Sequence, residues 1–192
     1  MDSQAVSSLA AAARRDPTAK IGRSAQELIL RRLGPTHLPA VEAHLLALSD
    51  GDRHRRFHAL LDDEAIAAYV GRVDFARMIL VGAFDAEDRL VALAEAHLDK
   101  AEAPVSAEVS VSVLPDHRSQ GLGRLLTAVA LDAAAARGSR QAEFHFQPGN
   151  RAIGRLVQEL GRPTAAAPGF AVLALPLDNQ AGQWTNDRAE AA

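Results

Sequence analysis

The chain contains no cysteine, which excludes disulfides, thiolate metal sites and a covalent acyl-cysteine intermediate. Any group transfer must proceed by another route. Lysine is scarce: Lys20 and Lys100 are the only two among 21 Lys and Arg residues, a compositional bias rather than a mechanism. There is no dense Lys/Arg stripe and the formal net charge is -3, so neither nucleic acid nor an anionic membrane is expected as the main partner. A small molecule or a protein surface fits better. No run approaches the roughly 18 apolar residues of a membrane span, and the start lacks the basic-then-apolar order of a signal peptide. A cytoplasmic location is therefore expected. Residues 7–15 have some of the Ala/Arg character of a transit peptide, but Asp2 and Asp16 favour a frayed helix.

With 192 residues, the chain suits one domain burying roughly 70% of its unfolded surface. Residues 1–24 read as a flexible N-terminal arm, 25–177 as the folded domain, and the polar, Ala-rich residues 178–192 as a disordered tail. A first strand is expected over 26–33, stopped by Gly34-Pro35. Apolar residues at helical spacing (Val41, Leu45, Leu48) then mark a helix over 38–48, and Asp62 starts a second through Ile66, Tyr69 and Val70. Residues 78–84 and 90–98 form a hairpin joined by a polar turn at 85–89, and 107–114 add a third strand to that meander. An Ala/Leu-rich helix over 122–136 ends at Arg137-Gly138, followed by a strand at 141–146, a helix at 150–160 and a last strand at 170–175. This βααβββαβαβ order predicts an α/β (α+β) fold with a mixed, mostly antiparallel sheet flanked by helices.

Residues 111–126 carry the chemistry. Val111, Val113, Leu114 and Pro115 end a strand, Arg118-Ser119-Gln120-Gly121-Leu122-Gly123-Arg124 makes a glycine turn, and a long helix follows. That order aims unpaired backbone N–H groups at the turn, where the helix dipole favours negative charge. A phosphate-bearing ligand is implied. A P-loop would need a glycine-rich run ending in Gly-Lys-Ser/Thr, and none exists. A dinucleotide fingerprint would need a third glycine where Leu126 stands, although Glu143 falls at the distance of its ribose-binding acid. The pattern that is met is Arg/Gln-x-x-Gly-x-Gly/Ala, by Arg118, Gly121 and Gly123 after a Val-x-Val-x-Pro strand end. An ordinary αβ connection whose glycines relieve backbone strain is the structural alternative.

On these residues, together with the element order and Asn150, the chain resembles the GNAT family of N-acetyltransferases over roughly residues 26–176. The resemblance implies acetyl-CoA as co-substrate, with its pyrophosphate on the amides of residues 119–124, which include Leu122. Lacking Cβ atoms, Gly121 and Gly123 would allow that approach, while Arg118 and Arg124 add charge and Ser119 and Gln120 lie within reach. By position, Val111, Val113 and Leu114 would pair with the pantetheine arm as with an added strand, and Asn150 would contact it. Capping of the following helix explains Asn150 equally well.

Acetylating a primary amine requires the free amine. A lysine-like group near pKa 10.4 is about 0.1% neutral at pH 7.4, a cost of about 4 kcal/mol that a positioned base must offset. Direct attack by the amine in a ternary complex is the expected route. Glu108, on the strand face it shares with Ser110 and Ser112, is the first candidate base; its position matches a glutamate in relatives resembling bacterial protein-lysine acetyltransferases. His145 is the second, from its spacing to Asn150. Many relatives carry a tyrosine general acid seven residues after the asparagine; here that position is Val157, and the familiar Gly-Phe ending is Gly161-Arg162. A non-catalytic acyl-CoA sensor is therefore a rival reading.

The segment Leu48-Ser49-Asp50-Gly51-Asp52-Arg53-His54-Arg55-Arg56-Phe57 resembles the Leu-Ser-x-x-x-Arg-x-x-Arg-Phe pattern of protein-lysine acetyltransferases. It is expected to be a solvated, basic helix-loop surface for an acidic acceptor. His54 and His58 have metal-pair spacing, but Arg55 and Arg56 would repel a cation and no metal is expected. A protein lysine is the favoured acceptor, a small amine such as an antibiotic, polyamine or amino-acid derivative the alternative, and a homodimer is left open.

Overall fold

A computed structural model describes residues 20–21, 28–99 and 106–175. Eight strands form one sheet in the order β1-β2-β3-β4-β5-β6-β8-β7: β1 Lys20–Ile21, β2 Leu28–Arg32, β3 Met78–Phe84, β4 Leu90–Leu98, β5 Ser106–Val113, β6 Gln141–His145, β7 Ala165–Ala167 and β8 Phe170–Ala174. Every adjacent pair is antiparallel except β5 with β6. Five α-helices cover it: α1 Leu38–Leu46, α2 Asp50–Phe57, α3 Asp63–Val70, α4 Leu122–Ala136 and α5 Arg151–Leu160. The mixed, mostly antiparallel sheet expected from the sequence is present. The tail and most of the arm lie outside the described residues; Lys20 and Ile21 of the arm pair with β2.

Both sheet faces are covered, so β3 is buried throughout and β4 at all but one residue. Along β4 the small residues Ala92, Ala94 and Ala96 share one core with Leu125, Leu126 and Val129 of α4. Leu93 points the other way, into a second core with Val41 and Leu45 of α1 and Ile66 of α3. Alternation within a strand thus assigns each residue to a helical layer. It also places Glu95, two residues from Leu93, in the middle of the sheet with 0% exposure.

Two expectations need correction. Three helices, not two, follow β2, because residues 50–57 form α2. Phe57 is its only large apolar residue, so no hydrophobic period marked it. It is held instead by Ser49, whose hydroxyl accepts from the Asp52 amide, and by acids in its first turn with basic residues in its last. The other is β7, three exposed alanines paired only with β8, whose order comes from the edge it meets and not from any apolar pattern.

Candidate active site

β5 does not run directly into the glycine turn; a 3-10 turn at Pro115–His117 intervenes. Ser119 and Gly121 then adopt left-handed backbone, with φ of 59° and 81°. Gly121 caps α4 without a side chain, and its carbonyl accepts from the Leu125 amide at 3.0 Å. In such a helix the amides of Leu122 and Gly123 have no intrahelical acceptor. α4 has 15 residues and no acid in its first turn, leaving its positive end open to an anion.

Beside this turn the sheet splits. β5 pairs with β6 only at Ser106↔Gln141, Ala107↔Ala142 and Glu108↔Glu143. β5 nevertheless stays paired with β4 to Val113, and β6 with β8 to His145. From Val109 onward one edge of β5 therefore faces an opening, a cavity of about 630 Å³ lined by residues 109–113 on one side and Phe144, His145 and Phe146 on the other. Arg118, Ser119, Gly121, Leu122, Gly123 and Arg124 close its turn end, Asn150 and Ile153 line it from the start of α5, and Leu48, just before α2, lines it with Asp52, Arg55 and Arg56 of α2. An extended, amide-bearing arm can complete the β5 edge as an added strand while its phosphates meet the helix N-terminus.

Of the residues singled out in the sequence, Val111, Val113, Arg118, Ser119, Gly121, Leu122, Gly123, Arg124, His145 and Asn150 line this cavity. Leu114, Gln120 and Glu108 do not. Leu114 packs against the second core, its amide bonded to the Val91 carbonyl at 2.9 Å. Gln120 Nε2 donates to the Asp116 carbonyl at 3.3 Å. Glu108 is exposed at the last β5–β6 pair, with Glu143 on one side and His97 on the other. The Asn150 side chain also accepts from the Ile153 amide at 3.4 Å, so it caps α5 from the cavity wall.

The basic segment is solvated on one side only: Ser49, Asp50, Gly51, His54 and Arg55 are exposed, whereas the side chains of Arg53 and Arg56 turn inward. Arg53 donates to the carbonyls of Leu46, Leu48 and Leu61 and to Asp63, closing the C-terminal end of α1. Arg55 pairs with Asp52 at 2.8 Å, and Arg56 forms an ion pair with buried Glu95. Asp52, which sequence reasoning missed, also accepts from Ser49 Oγ at 2.6 Å and pairs with Arg118 at 2.8 Å. Partial burial raises its pKa, but hydrogen bonds from Ser49, Arg118 and Arg55 outweigh that and hold it at about 2. At the other end of α2, His58 Nε2 lies 3.3 Å from the His145 carbonyl, and Gln147 Nε2 donates to the His54 carbonyl at 3.4 Å. α2 is thus a bar across the cavity, tied to the glycine turn and to β6.

Two buried polar groups adjoin the cavity on the α1–α3 side. Glu95 Oε2 accepts from Tyr69 OH at 3.0 Å and Ser110 Oγ at 3.4 Å, and Tyr69 OH lies 3.3 Å from His97 Nε2. Burial, then Arg56, lowers the His97 pKa, while Glu108 opposes the shift. His44 approaches the Leu90 carbonyl through Nδ1 at 2.9 Å and Ser112 Oγ through Nε2 at 2.8 Å. Because a carbonyl only accepts, the proton is assigned to Nδ1 and Ser112 donates to Nε2. Burial holds the His44 pKa down at about 4. Tyr69 is the chain's single tyrosine, whereas Val157, where relatives carry theirs, is sealed in the core at 2% exposure.

A helix N-terminus presented to phosphates beside a β5 edge left open by the split from β6 is the arrangement of an acyl-coenzyme-A-dependent acyltransferase. The model of the Acetyltransferase (GNAT) family matches residues 29–161, and the chain belongs to that family. It is an acyl-CoA-dependent N-acetyltransferase, with acetyl-CoA as the family's co-substrate. No curated protein matches the chain in sequence. Among solved structures, the GNAT domain of S. lividans PAT superposes with a TM-score of 0.67 at 18% identity, covering 82% of this chain and 97% of that one. A ribosomal-protein-alanine N-acetyltransferase from Brucella melitensis gives 0.59 at 21%, covering 76% and 99%. A cAMP-binding acyltransferase from Mycobacterium smegmatis gives 0.57 at 18%, covering 92% of this chain and 53% of that longer one. At these identities the likeness is one of fold. Among the described residues no helix is long and apolar enough to cross a membrane.

Proposed function

We propose that the protein transfers acetyl from acetyl-CoA to a primary amine by direct attack in a ternary complex, with a protein lysine as the favoured acceptor. The observation that carries this reading is the continuity of one cavity from the split between β5 and β6 to the N-terminus of α4. In that cavity the amides of Leu122 and Gly123 hold the pyrophosphate and the free edge at Val111 and Val113 holds the pantetheine arm. The bound co-substrate supplies a thioester carbonyl. The absence of cysteine leaves the amine itself as nucleophile.

Glu108 is the terminal acceptor of the amine's proton in this reading, and His145, which lines the cavity, is its competitor. Glu108 and Glu143 sit side by side at the last paired position before the split opens, a negative pair that attracts an ammonium group and disfavours an anionic acceptor. The fold is shared with proteins named a ribosomal-protein-alanine N-acetyltransferase and a putative phosphinothricin N-acetyltransferase, so it accommodates protein and small-molecule acceptors alike.

The test is thiol release from acetyl-CoA with poly-L-lysine, casein, spermidine and kanamycin, with mass analysis of the acylated product. Turnover on the first two supports a protein lysine. Turnover confined to spermidine or kanamycin moves the acceptor to a small amine. Tight acetyl-CoA binding without turnover on any of them overturns the transfer reading in favour of a sensor.

A further inference from the structure

Transfer of acetyl from a thioester to an ammonium makes one C–N bond and breaks one C–S bond. The nitrogen loses two protons. One balances the departing sulfur, and the other must leave the site. Glu108 lies outside the cavity lining, so an acceptor amine in the cavity has no direct path to it.

We propose that Ser110, Glu95, Tyr69 and His97 form a hydrogen-bonded relay that carries this proton from the cavity wall to the outer end of the sheet beside Glu108. The inference rests on the acetyl-transfer reading above. Ser110 lines the cavity two residues past the last β5–β6 pair and donates to Glu95 Oε2. Tyr69 OH donates to the same oxygen and lies within reach of His97 Nε2. His97 is the β4 residue in register with Glu108, on the same face of the sheet.

The proton moves by exchange of partners. Ser110 Oγ takes it from the nitrogen and passes its own to Glu95. The protonated Glu95 donates to Tyr69, whose hydroxyl proton goes to His97 Nε2, and the imidazole passes a proton on to Glu108, which returns it to solvent. Arg56 donates to Tyr69 OH at 3.2 Å and pairs with Glu95, so the resting carboxylate is balanced while buried. Glu95 Oε1 is buried without a hydrogen-bond partner among the described residues, an expensive arrangement for a group with a purely structural task. The 3.4 Å and 3.3 Å links are long, as hydrogen bonds of catalytic groups often are before substrate is bound. A cavity-filling core would have placed an apolar residue at Glu95, and the neighbouring Leu93 shows that the layer accepts one.

The test uses the full chain with acetyl-CoA and the four acceptors named above. Tyr69→Phe and Ser110→Ala should each lower kcat about tenfold with the acetyl-CoA KM unchanged, as expected for loss of a proton-transfer step. Added imidazole buffer should partly restore turnover in both variants and leave the wild type unaffected, and Ser110→Thr, which keeps the hydroxyl, should recover part of the turnover that Ser110→Ala loses. Without ligand, the His97 imidazole nitrogen resonances should shift in Tyr69→Phe. Loss of turnover without imidazole rescue, unaffected turnover, or unchanged His97 resonances would overturn the relay. Wild-type inactivity on all four acceptors would instead overturn the acetyl-transfer reading, and the relay with it.

Discussion

Arg118 Nη2 lies 2.8 Å from Asp52 Oδ2, so the guanidinium expected to neutralise a bound phosphate is held by a carboxylate from α2. Its Nε is also taken, by the Val113 carbonyl at 2.9 Å. An incoming pyrophosphate competes with Asp52 for this cation. Asp52→Asn should therefore tighten acetyl-CoA binding about threefold to fivefold, the scale of a partly exposed pair worth up to ~1 kcal/mol, as measured by calorimetry. Arg118→Ala should weaken it. Unchanged affinity in Asp52→Asn would show that Arg118 never leaves its partner.

The same pair has a signature in acid. The Asp52 carboxyl titrates at about 2 in the folded chain against an ordinary 3.8. A depressed folded pKa gives stability that is present above the unfolded value and lost as pH falls through the folded one. The wild type should lose this contribution between about pH 4 and pH 2. Urea titrations of Asp52→Asn should show a correspondingly shallower decline in that window.

The two glycines of the turn should respond differently. A Cβ at Gly121 would sit on a backbone with φ of 81°, so Gly121→Ala should cost about 1 kcal/mol of stability as well as affinity. A Cβ at Gly123 would lie 3.8 Å from the Val111 and Val113 methyls, in ordinary contact. Nothing inside the protein forbids it. Gly123→Ala should thus melt close to the wild type yet bind acetyl-CoA about tenfold or more weakly, because its methyl occupies the approach to the helix amides. Undiminished affinity in that variant would move the phosphate away from α4.

That contrast shows what the sequence could disclose. Local chemistry was legible: glycines before an Ala/Leu-rich helix, and the apolar periods of β3, β4 and α4, are written in consecutive residues. Partners distant in the chain were not. Ser49 and Asp52 look like surface residues until α2 crosses the cavity to meet Arg118, and α2 has no apolar period because ion pairs and carbonyl bonds hold it. Glu95 is one polar residue in an alanine-rich strand. Only the register, which sets it opposite Ser110 and beneath Tyr69 and Arg56, gives it a task. The split between β5 and β6 likewise depends on where pairing stops, which no residue type announces.

His44 sets a second pH dependence. It is neutral, buried and bonded at both nitrogens, and its folded pKa of about 4 lies below the ordinary 6.5. Between these values the unfolded chain binds a proton that the folded chain refuses, so stability should rise with pH from about 4 to about 6.5. The lowered His97 pKa acts in the same direction. His44→Gln should flatten this rise in urea titrations, at the cost of a weaker bond to Ser112. An equally steep rise in the variant would assign the effect to another group.

Glu108 and His145 make opposite predictions as acceptors of the amine's proton. Glu108 is exposed and reaches the cavity only through neighbours, whereas His145 lines it, with Nε2 3.7 Å from Glu143 Oε2 and its ring 5.0 Å from Phe170. If Glu108 is the terminal acceptor, Glu108→Gln should lower kcat about tenfold or more while acetyl-CoA affinity stays near wild type, because neither the turn nor the β5 edge changes. Kinetics with saturating acetyl-CoA and poly-L-lysine measure the first quantity, and calorimetry the second. His145→Gln should then be nearly silent in kcat, since its carbonyl, the group that meets His58, is kept. The reverse outcome, a silent Glu108→Gln and an inactive His145→Gln, would put the base inside the cavity and make Glu108 an electrostatic guide for the ammonium.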